Sequence, residues 1–218
     1  MSDQPDEKTL REQLVAQYQR VSALGLNEMS SGNLSVRFGD KMLISPNGAT
    51  GDNITVDNVI ETSFDGKFEG KRLPSSEWRM HAAIYEKHAA AGAVCHTHSD
   101  YCVAVASHVI SLPGFHYLLG VFGGGDVPCV PYSTFGREKL AVDASEALTD
   151  RTACLLGNHG MISRAPHLNG AVNMAQRLEI MCRQYVLARQ LGEPPRLTDD
   201  DWEDFFKKAD EMAYARNG

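Results

Sequence analysis

Strand-like runs occur in pairs along this chain, and only a few turn-favouring residues separate the two runs of a pair. The runs at residues 34–38 and 42–45 flank Gly39-Asp40, an arrangement typical of a hairpin. The apolar run at residues 153–156 is followed by GNHG and then by a second strand-like run. A strict alternation of strands and helices would indicate a purely parallel sheet, but helices and strands do not alternate strictly in this chain. The pattern therefore predicts a layered α/β fold around a mixed, mainly antiparallel sheet.

The remaining segments complete this prediction. A length of 218 residues fits one domain, predicted to span residues 1–218. A further strand pair is expected around residues 54–70, with Asp65-Gly66 as its turn, and a loop with short strands is expected over 113–136. Residues 93–98 read as a strand. Apolar spacing and cap signals predict helices over residues 7–25, 76–91, 99–108, 137–149 and 168–191 and from about Asp199 onward.

Composition narrows the range of partners. The formal net charge is −7 and no basic patch is evident, which argues against nucleic-acid binding. No run approaches the ~18 apolar residues of a membrane helix, and the polar, acidic N-terminus has no signal-peptide pattern. The five cysteines include no CxxC pair, so a reduced, cytoplasmic protein is expected. Because the chain is acidic overall, any anion site has to be local and built from backbone N–H groups, hydroxyls and a metal.

Three histidines are candidate metal ligands. His96 and His98 follow an apolar run, and residues two apart in a strand point to the same side. His159 lies between two possible turn glycines, also after an apolar run. Three neutral imidazoles with one open position form a typical catalytic Zn²⁺ site. The residues alone equally allow a polar surface for the first two and a backbone-bonded turn histidine for the third.

Two further segments are candidate anion sites. Ser75 and Ser76 open a predicted helix, where free backbone N–H groups can hold a phosphate, although serines also serve as plain helix caps. Glu77 is then expected in the first helical turn. In SSGN, Gly32 permits close backbone approach and Asn33 can donate a hydrogen bond to an anion. An ordinary turn between a helix and a strand explains the same residues.

Several motifs occur in an order and at a spacing typical of one known family. In chain order they are SGNLSVR, LISPNG, PSSEWRMH, HTHSDY, FHY, PYSTFG and GNHG. Through these motifs the chain resembles the class II aldolase/adducin family, in particular its fuculose-1-phosphate aldolase branch, from about residue 8 to residue 190. The resemblance implies a single three-layer α/β/α domain.

The resemblance implies a metal centre. His96, His98 and His159 would hold one Zn²⁺ per subunit, for which Mn²⁺ or Co²⁺ could substitute. Glu77 would be an acid/base residue next to the metal and a ligand of the resting ion.

The resemblance also implies a phosphate site. Its residues would be Asn33, Asn47, Gly48, Ser75 and Ser76. The family usually has Thr or Ser where this chain has Asn47, and an amide can still donate a hydrogen bond there.

Catalytic tyrosines and assembly are implied in the same way. Tyr117 matches a tyrosine that family aldolases supply from a neighbouring subunit, where it exchanges a proton with the aldehyde oxygen. Tyr214 is a looser candidate for a second tyrosine, and His116 could approach the neighbouring site. The family usually forms a homotetramer with sites at subunit interfaces.

The implied reaction is reversible cleavage of a ketose 1-phosphate to dihydroxyacetone phosphate and an aldehyde through a metal-stabilised enediolate. The fuculose, 5-deoxyribulose and methylthioribulose 1-phosphates, the last two as salvage by-products, are all candidate substrates. The alternatives are a sugar-phosphate epimerase, a methylthioribulose-1-phosphate dehydratase, a decarboxylase or a non-catalytic adducin-like module. A less polar substrate tail is expected if the apolar residues of 114–136 face the aldehyde end, namely Phe115, Leu118, Leu119, Val121 and Phe122.

Overall fold

A single eight-stranded sheet forms the centre of the protein. The computed structural model describes residues 5–108 and 110–212. The strands are β1 (Asn33–Phe38), β2 (Lys41–Ile44), β3 (Ile60–Ser63), β4 (Ala93–Thr97), β5 (Ser111–Leu112), β6 (Val127–Val130), β7 (Ala153–Leu156) and β8 (Gly160–Ala165). Their order across the sheet is β3-β2-β1-β4-β8-β7-β6-β5. All neighbours are antiparallel except β6 and β7, which are parallel, so the predicted mixed, mainly antiparallel sheet is confirmed.

Helices cover both faces of the sheet. They are α1 (Glu7–Ala23), α2 (Trp78–Lys87), α3 (Asp100–Ala106), α4 (Glu138–Ala147), α5 (Leu168–Arg189) and α6 (Asp199–Glu211), with 3₁₀ turns at Val56–Asn58 and Tyr117–Phe122. One hydrophobic core lies between the sheet and α1, α3 and α5, and a second lies between the sheet and α2 and α4. This is the predicted three-layer α/β/α arrangement. None of the helices in the described residues is long and apolar enough to cross a membrane.

Two predicted segments end differently from the sequence expectation. The helix expected over 76–91 begins at Trp78 and stops at Lys87, because His88 is extended and leads into the turn before β4. Of the strand pair expected around 54–70, only β3 forms. Residues 56–58 turn into a 3₁₀ helix instead, and Phe68 contributes a single bridge to Thr62. The turn at Asp65-Gly66 is present, with Gly66 at φ 86°.

The middle of the sheet aligns the polar residues of interest. Asn33 of β1 lies opposite His96 of β4, which in turn lies opposite Ile162 of β8. Side chains alternate along a strand, so Cys95 points into the α1/α3/α5 core, whereas His96 points to the side of α2. Cys95 and His96 therefore point to opposite faces of the sheet.

Candidate active site

Four side chains from three parts of the chain meet at the end of β4. His96 is the penultimate residue of β4, and His98 follows the strand immediately. His159 lies in the turn between β7 and β8, and Glu77 directly precedes α2. Their potential ligand atoms all lie within 4.8 Å of one another. The structure therefore brings together all four residues that the sequence marks as metal ligands.

Distances within this cluster are short. The Nε2 atoms of His96 and His98 are 2.9 Å apart, and the three imidazole rings stand edge to face with centroids 4.7–4.9 Å apart. Glu77 Oε2 lies 3.0 Å from Nε2 of His96, and Glu77 Oε1 lies 3.3 Å from Nε2 of His159. All three histidines thus direct Nε2 toward one point, as ligands of a common ion do.

The tautomer of His96 is set by the backbone. Its Nδ1 lies 2.7 Å from the carbonyl oxygen of Met161, which can only accept, so Nδ1 carries a proton and donates it. Nε2 is then the atom that is free to bind a metal. A second contact that fixes ring orientation and tautomer in this way is typical of metal-ligating histidines.

Burial and the Glu77 charge determine the ionisation of the cluster. Burial lowers the pKa of His98 to about 3 and that of His159 to about 4, with the His96 charge adding to both shifts. Burial also disfavours a charge on His96, but the Glu77 charge and hydrogen bond outweigh it and raise the pKa of His96. For Glu77, burial raises the pKa, and the His96 charge more than reverses this, so the carboxyl stays ionised.

The donor set fits a divalent metal ion. Three imidazole nitrogens and one carboxylate suit Zn²⁺ and related transition metals. Glu77 Oε1 is buried and has no hydrogen-bond partner within the described residues, an arrangement that a bound cation would satisfy. Glu77 is only 6% exposed, so its unpaired oxygen is not compensated by bulk water.

Close backbone packing places His159 beside the other ligands. A Cβ atom on Gly160 would lie 2.3 Å from the carbonyl oxygen of Thr97, so only glycine lets β8 start this close to the end of β4. The left-handed residue of this turn is Asn158, at φ 53°, and neither Gly157 nor Gly160 has a positive φ. The sequence marked both as turn glycines. In the structure their small size, and not a positive φ, is what the fold requires.

The candidate phosphate residues lie in two paired segments. Pro46 and Pro74 form an isolated bridge, and the N–H of Asn47 donates to the carbonyl of Leu73 at 3.0 Å. Ser75 and Ser76 precede α2, and the N–H of Glu77 donates to the Ser75 hydroxyl at 3.2 Å. Glu77 itself precedes the helix and does not lie within its first turn as expected. Because the helix starts later, both serines lie in an irregular loop, where the N–H of Ser75 already donates to the carbonyl of Ser45.

One cavity joins the phosphate candidates to the metal cluster. It has a volume of about 340 Å³ and opens to solvent. His96 lies beneath it and is fully buried. The sequence-predicted residues that line the cavity are Asn33, Asn47, Gly48, Ser75, Ser76, Glu77, His98 and His159.

Tyr117 is not part of this cavity. It begins the 3₁₀ turn at Tyr117–Phe122, is 54% exposed, and stacks on His116 with ring centroids 4.9 Å apart. His116 Nδ1 accepts from the N–H of Leu118 at 3.1 Å. Tyr214 lies outside the described residues.

The apolar residues of 114–136 that were expected to face the substrate tail do not line the cavity either. Leu119 and Phe122 are fully buried, and the other three pack against the same core, because this segment closes the α5 side of the sheet.

Several lining residues were not singled out from the sequence. Tyr132, Ser133 and Phe135 follow β6, and Asn158 precedes His159. The loop after β6 reaches the site because Gly136, at φ 71°, passes so close to the carbonyl of Ser76 that a Cβ would lie 2.9 Å away. The motif PYSTFG contains three of these lining residues, but the motif alone does not predict where the loop crosses the sheet.

Comparison with known proteins agrees with this geometry. The model of the family "Class II Aldolase and Adducin N-terminal domain" matches residues 12–186, so the chain belongs to this family. It is 37% identical over 193 residues to L-fuculose phosphate aldolase of Escherichia coli strain K12, covering 88% of this chain and 90% of the relative. The 5-methylthioribulose-1-phosphate/5-deoxyribulose-1-phosphate aldolase of Rhodospirillum rubrum is 37% identical over 199 residues, covering 91% and 90%.

A solved structure shows the same fold. An L-fuculose 1-phosphate aldolase superposes with a TM-score of 0.86 at 33% identity, covering 92% of this chain and 95% of that one. The predicted family, its fuculose-type branch and the expectation of an enzyme of the aldolase class are thereby confirmed.

Proposed function

We propose that this protein is a zinc-dependent aldolase that reversibly cleaves a ketose 1-phosphate to dihydroxyacetone phosphate and an aldehyde. The observation that supports this most directly is a cavity in which a His₃Glu cluster adjoins segments that carry serine hydroxyls and an asparagine amide. His96, His98, His159 and Glu77 would hold the metal. A Zn²⁺ ion bound there supplies Lewis-acid stabilisation of negative charge on substrate oxygen.

Glu77 is the proposed acid/base residue. Cleavage breaks the C3–C4 bond, leaves an electron pair on C3 next to the carbonyl, and requires a proton to reach C3. In bond formation the ionised, buried Glu77 can take the proton from C3 of dihydroxyacetone phosphate, and in cleavage the same carboxyl, once protonated, returns that proton to C3. General acid/base catalysis of this kind typically contributes about 10²–10⁴-fold in rate.

The phosphate group would lie at the other end of the cavity. Asn47 and Gly48 form one wall and Ser75 and Ser76 the other, with Asn33 between them and the metal cluster. Hydroxyls, an amide and the N–H groups of an irregular loop can hold an oxyanion without any lysine or arginine. This fits a chain with a net charge of −7, which cannot attract a phosphate by its overall field.

Tyr117 would act in the cavity of a neighbouring subunit. It would accept the C4 hydroxyl proton during cleavage and return it during bond formation. Exposed apolar side chains support an assembly that covers the cavity mouth. Tyr132 and Phe135 line the mouth and are 61% and 63% exposed, and Met29, next to the lining residue Ser30, is 87% exposed. Exposed apolar surface of this kind marks interaction sites. We therefore include a homotetramer in the proposal.

The aromatic residues at the cavity mouth also favour particular substrates. Tyr132 and Phe135 offer an apolar surface at the open end of the cavity, which suits the methyl or methylthio end of 5-deoxyribulose and methylthioribulose 1-phosphates. Fuculose 1-phosphate remains the third candidate. The proposal further takes residues 1–218 as one domain, with no nucleic-acid or membrane partner. It also takes the five free cysteines as those of a cytoplasmic enzyme.

A cleavage assay with purified protein tests the proposed reaction. Protein stripped with a chelator receives Zn²⁺, Mn²⁺ or Co²⁺ and then each of the three ketose 1-phosphates, and dihydroxyacetone phosphate is followed by coupled NADH oxidation. Glu77→Gln should lower kcat by about 10²–10⁴-fold because the proton carrier is lost. Glu86→Gln is the matched control, since Glu86 is exposed on the same helix, and it should leave kcat unchanged.

The other outcomes separate the alternatives. Consumption of a ketose phosphate without release of dihydroxyacetone phosphate would replace the aldolase with an epimerase, dehydratase or decarboxylase. Absence of stoichiometric metal together with absence of turnover would favour a non-catalytic adducin-like module.

A further inference from the structure

A row of buried polar side chains runs from Glu77 into the layer between β1 and α2. Asn33 and Ser35 are two residues apart and therefore lie on the same face of β1. His81 and Tyr85 follow Glu77 at intervals of four residues and lie on one face of α2. None of these five residues is more than 6% exposed. In an otherwise apolar layer, such a row carries a desolvation cost that only complete hydrogen bonding offsets.

Each neighbour in the row is within hydrogen-bond distance of the next. Asn33 Nδ2 lies 3.1 Å from Glu77 Oε2, and Asn33 Oδ1 contacts Nε2 of His81. The Nδ1 atom of His81 is 2.7 Å from the Ser35 hydroxyl, which is 2.7 Å from the hydroxyl of Tyr85. The contacts therefore form one unbranched chain from the carboxylate to the far end of the helix.

The orientation of the Asn33 amide determines the direction of the bonds. Its Nδ2 faces Glu77 Oε2, which accepts, and its Oδ1 faces Nε2 of His81. His81 must then carry its proton on Nε2 and accept on Nδ1 from the hydroxyl of Ser35. Ser35 in turn accepts from Tyr85. Burial lowers the pKa of His81 to about 3, so the ring is neutral and this tautomer is defined.

We propose that His81 is a positioning residue that fixes the amide of Asn33, and through it the carboxylate of Glu77. Contact with Glu77 already disfavours the flipped amide, in which Oδ1 would face the carboxylate. If the His81 donor were absent, however, Oδ1 would have no partner in this row, and the amide would be held at its Nδ2 end alone. Since Asn33 Nδ2 has two hydrogens and only one faces Glu77, the second stays available to a group in the cavity.

The first test reads the tautomer in the metal-free wild-type protein. Nitrogen-15 NMR of the His81 ring should show a protonated Nε2 and an unprotonated Nδ1. The opposite tautomer, or a ring that exchanges between the two, would overturn the proposal. This measurement depends neither on turnover nor on a variant that has to fold.

The second test compares two substitutions. His81→Leu removes the donor, whereas His81→Gln keeps an N–H group near the position of Nε2. Zinc affinity, measured by competition with a chromophoric chelator and without substrate, should fall about 10- to 100-fold in the Leu variant. The Gln variant should recover most of that loss, and kcat should follow the same order. A folded Leu variant with wild-type zinc affinity and kcat, or a Gln variant no better than Leu, would contradict the positioning role.

The catalytic part of this inference rests on the proposed function, and the two can fail separately. If wild-type protein cleaves no ketose phosphate but its zinc affinity depends on His81 as stated, the reaction is wrong and the positioning role stands. If cleavage is observed and His81→Leu behaves as wild type, the positioning role alone is wrong. If the protein binds no zinc, the proposed function fails. The nitrogen-15 NMR measurement of the His81 tautomer still shows whether the hydrogen bonds of the row run in the stated direction.

Discussion

At the scale of single residues, Gly160 controls how closely β8 approaches β4. A Cβ atom there would collide with the carbonyl of Thr97, and the same problem recurs at the opposite end of the strand pair. On Gly92, a Cβ atom would lie 2.0 Å from the carbonyl oxygen of Pro166. The two glycines thus have the same steric role, but only Gly160 adjoins the ligand cluster.

Alanine at these two positions separates stability from metal binding. Gly160→Ala and Gly92→Ala should each lower the free energy of unfolding by about 1–3 kcal/mol, the usual cost of overpacking, measured by urea denaturation of metal-free protein. Only Gly160→Ala should also weaken zinc binding, because it displaces His159 from His98. Equal zinc affinities in the two variants would show that the turn does not position its histidine.

Residue types and spacing marked the three histidines only as candidate ligands. The family motifs were needed to assign His96, His98, His159 and Glu77 to one metal centre. Tyr132 and Phe135 could not be assigned in this way, because their place in the cavity depends on how the loop after β6 crosses Ser76. A sequence pattern reports local geometry, whereas that crossing is a contact between distant segments.

At the scale of elements, α2 shows how tertiary contacts override helix propensity. The alanines at 89–91 favour a helix, and the sequence accordingly predicted one to residue 91. The helix nevertheless ends at Lys87, and Arg37 of β1 takes up the carbonyl groups that are released. Its guanidinium donates to the carbonyls of Tyr85, His88 and Ala91.

Arg37 also stacks on the ring of Tyr85, with its guanidinium carbon 4.9 Å from the ring centroid. Arg37→Lys keeps the charge but loses the planar fork, so the free energy of unfolding should fall by about 1–3 kcal/mol in a urea titration. Arg79→Lys is the control, because Arg79 also stacks on an aromatic ring but is exposed. It should change stability by no more than about 0.5 kcal/mol. A similar loss in both variants would mean that capping of α2 by Arg37 is unimportant.

At the scale of the whole molecule, the active site is proposed to be complete only in an assembly. Glu77 lines the cavity of its own chain, whereas Tyr117 lies on the exposed surface away from that cavity. A tyrosine in this position either serves the metal-side cavity of a neighbouring chain or takes no part in the reaction.

Mixed oligomers distinguish these possibilities. Glu77→Gln and Tyr117→Phe should each be nearly inactive, whereas co-expression of the two should restore up to about a quarter of the sites under random cyclic assembly. A mixture of Glu77→Gln with His98→Ala is the matched control, because both residues line the same cavity of one chain. It should restore nothing. Failure of the first mixture to regain activity would remove Tyr117 from the neighbouring site.

The three layers and the mainly antiparallel sheet could be predicted from the paired strand-like runs and the helical spacing of apolar residues. The order of the strands in the sheet could not be predicted, because it depends on which strands distant in the sequence pair with each other. β4 lies between β1 and β8, and the intervening elements give no local sign of that choice.

The position of β4 has a consequence for the protein during its synthesis. β1 leaves the ribosome before β4, but β8 follows only after α3, β5, β6, α4 and β7. Until then β4 has one unpaired edge, and an exposed edge can pair with a strand of another chain. His159, the third histidine of the metal cluster, likewise emerges from the ribosome later than His96 and His98. A nascent chain that stalls before β8 therefore lacks its complete metal site at the same stage at which one edge of β4 is open to pairing with another chain.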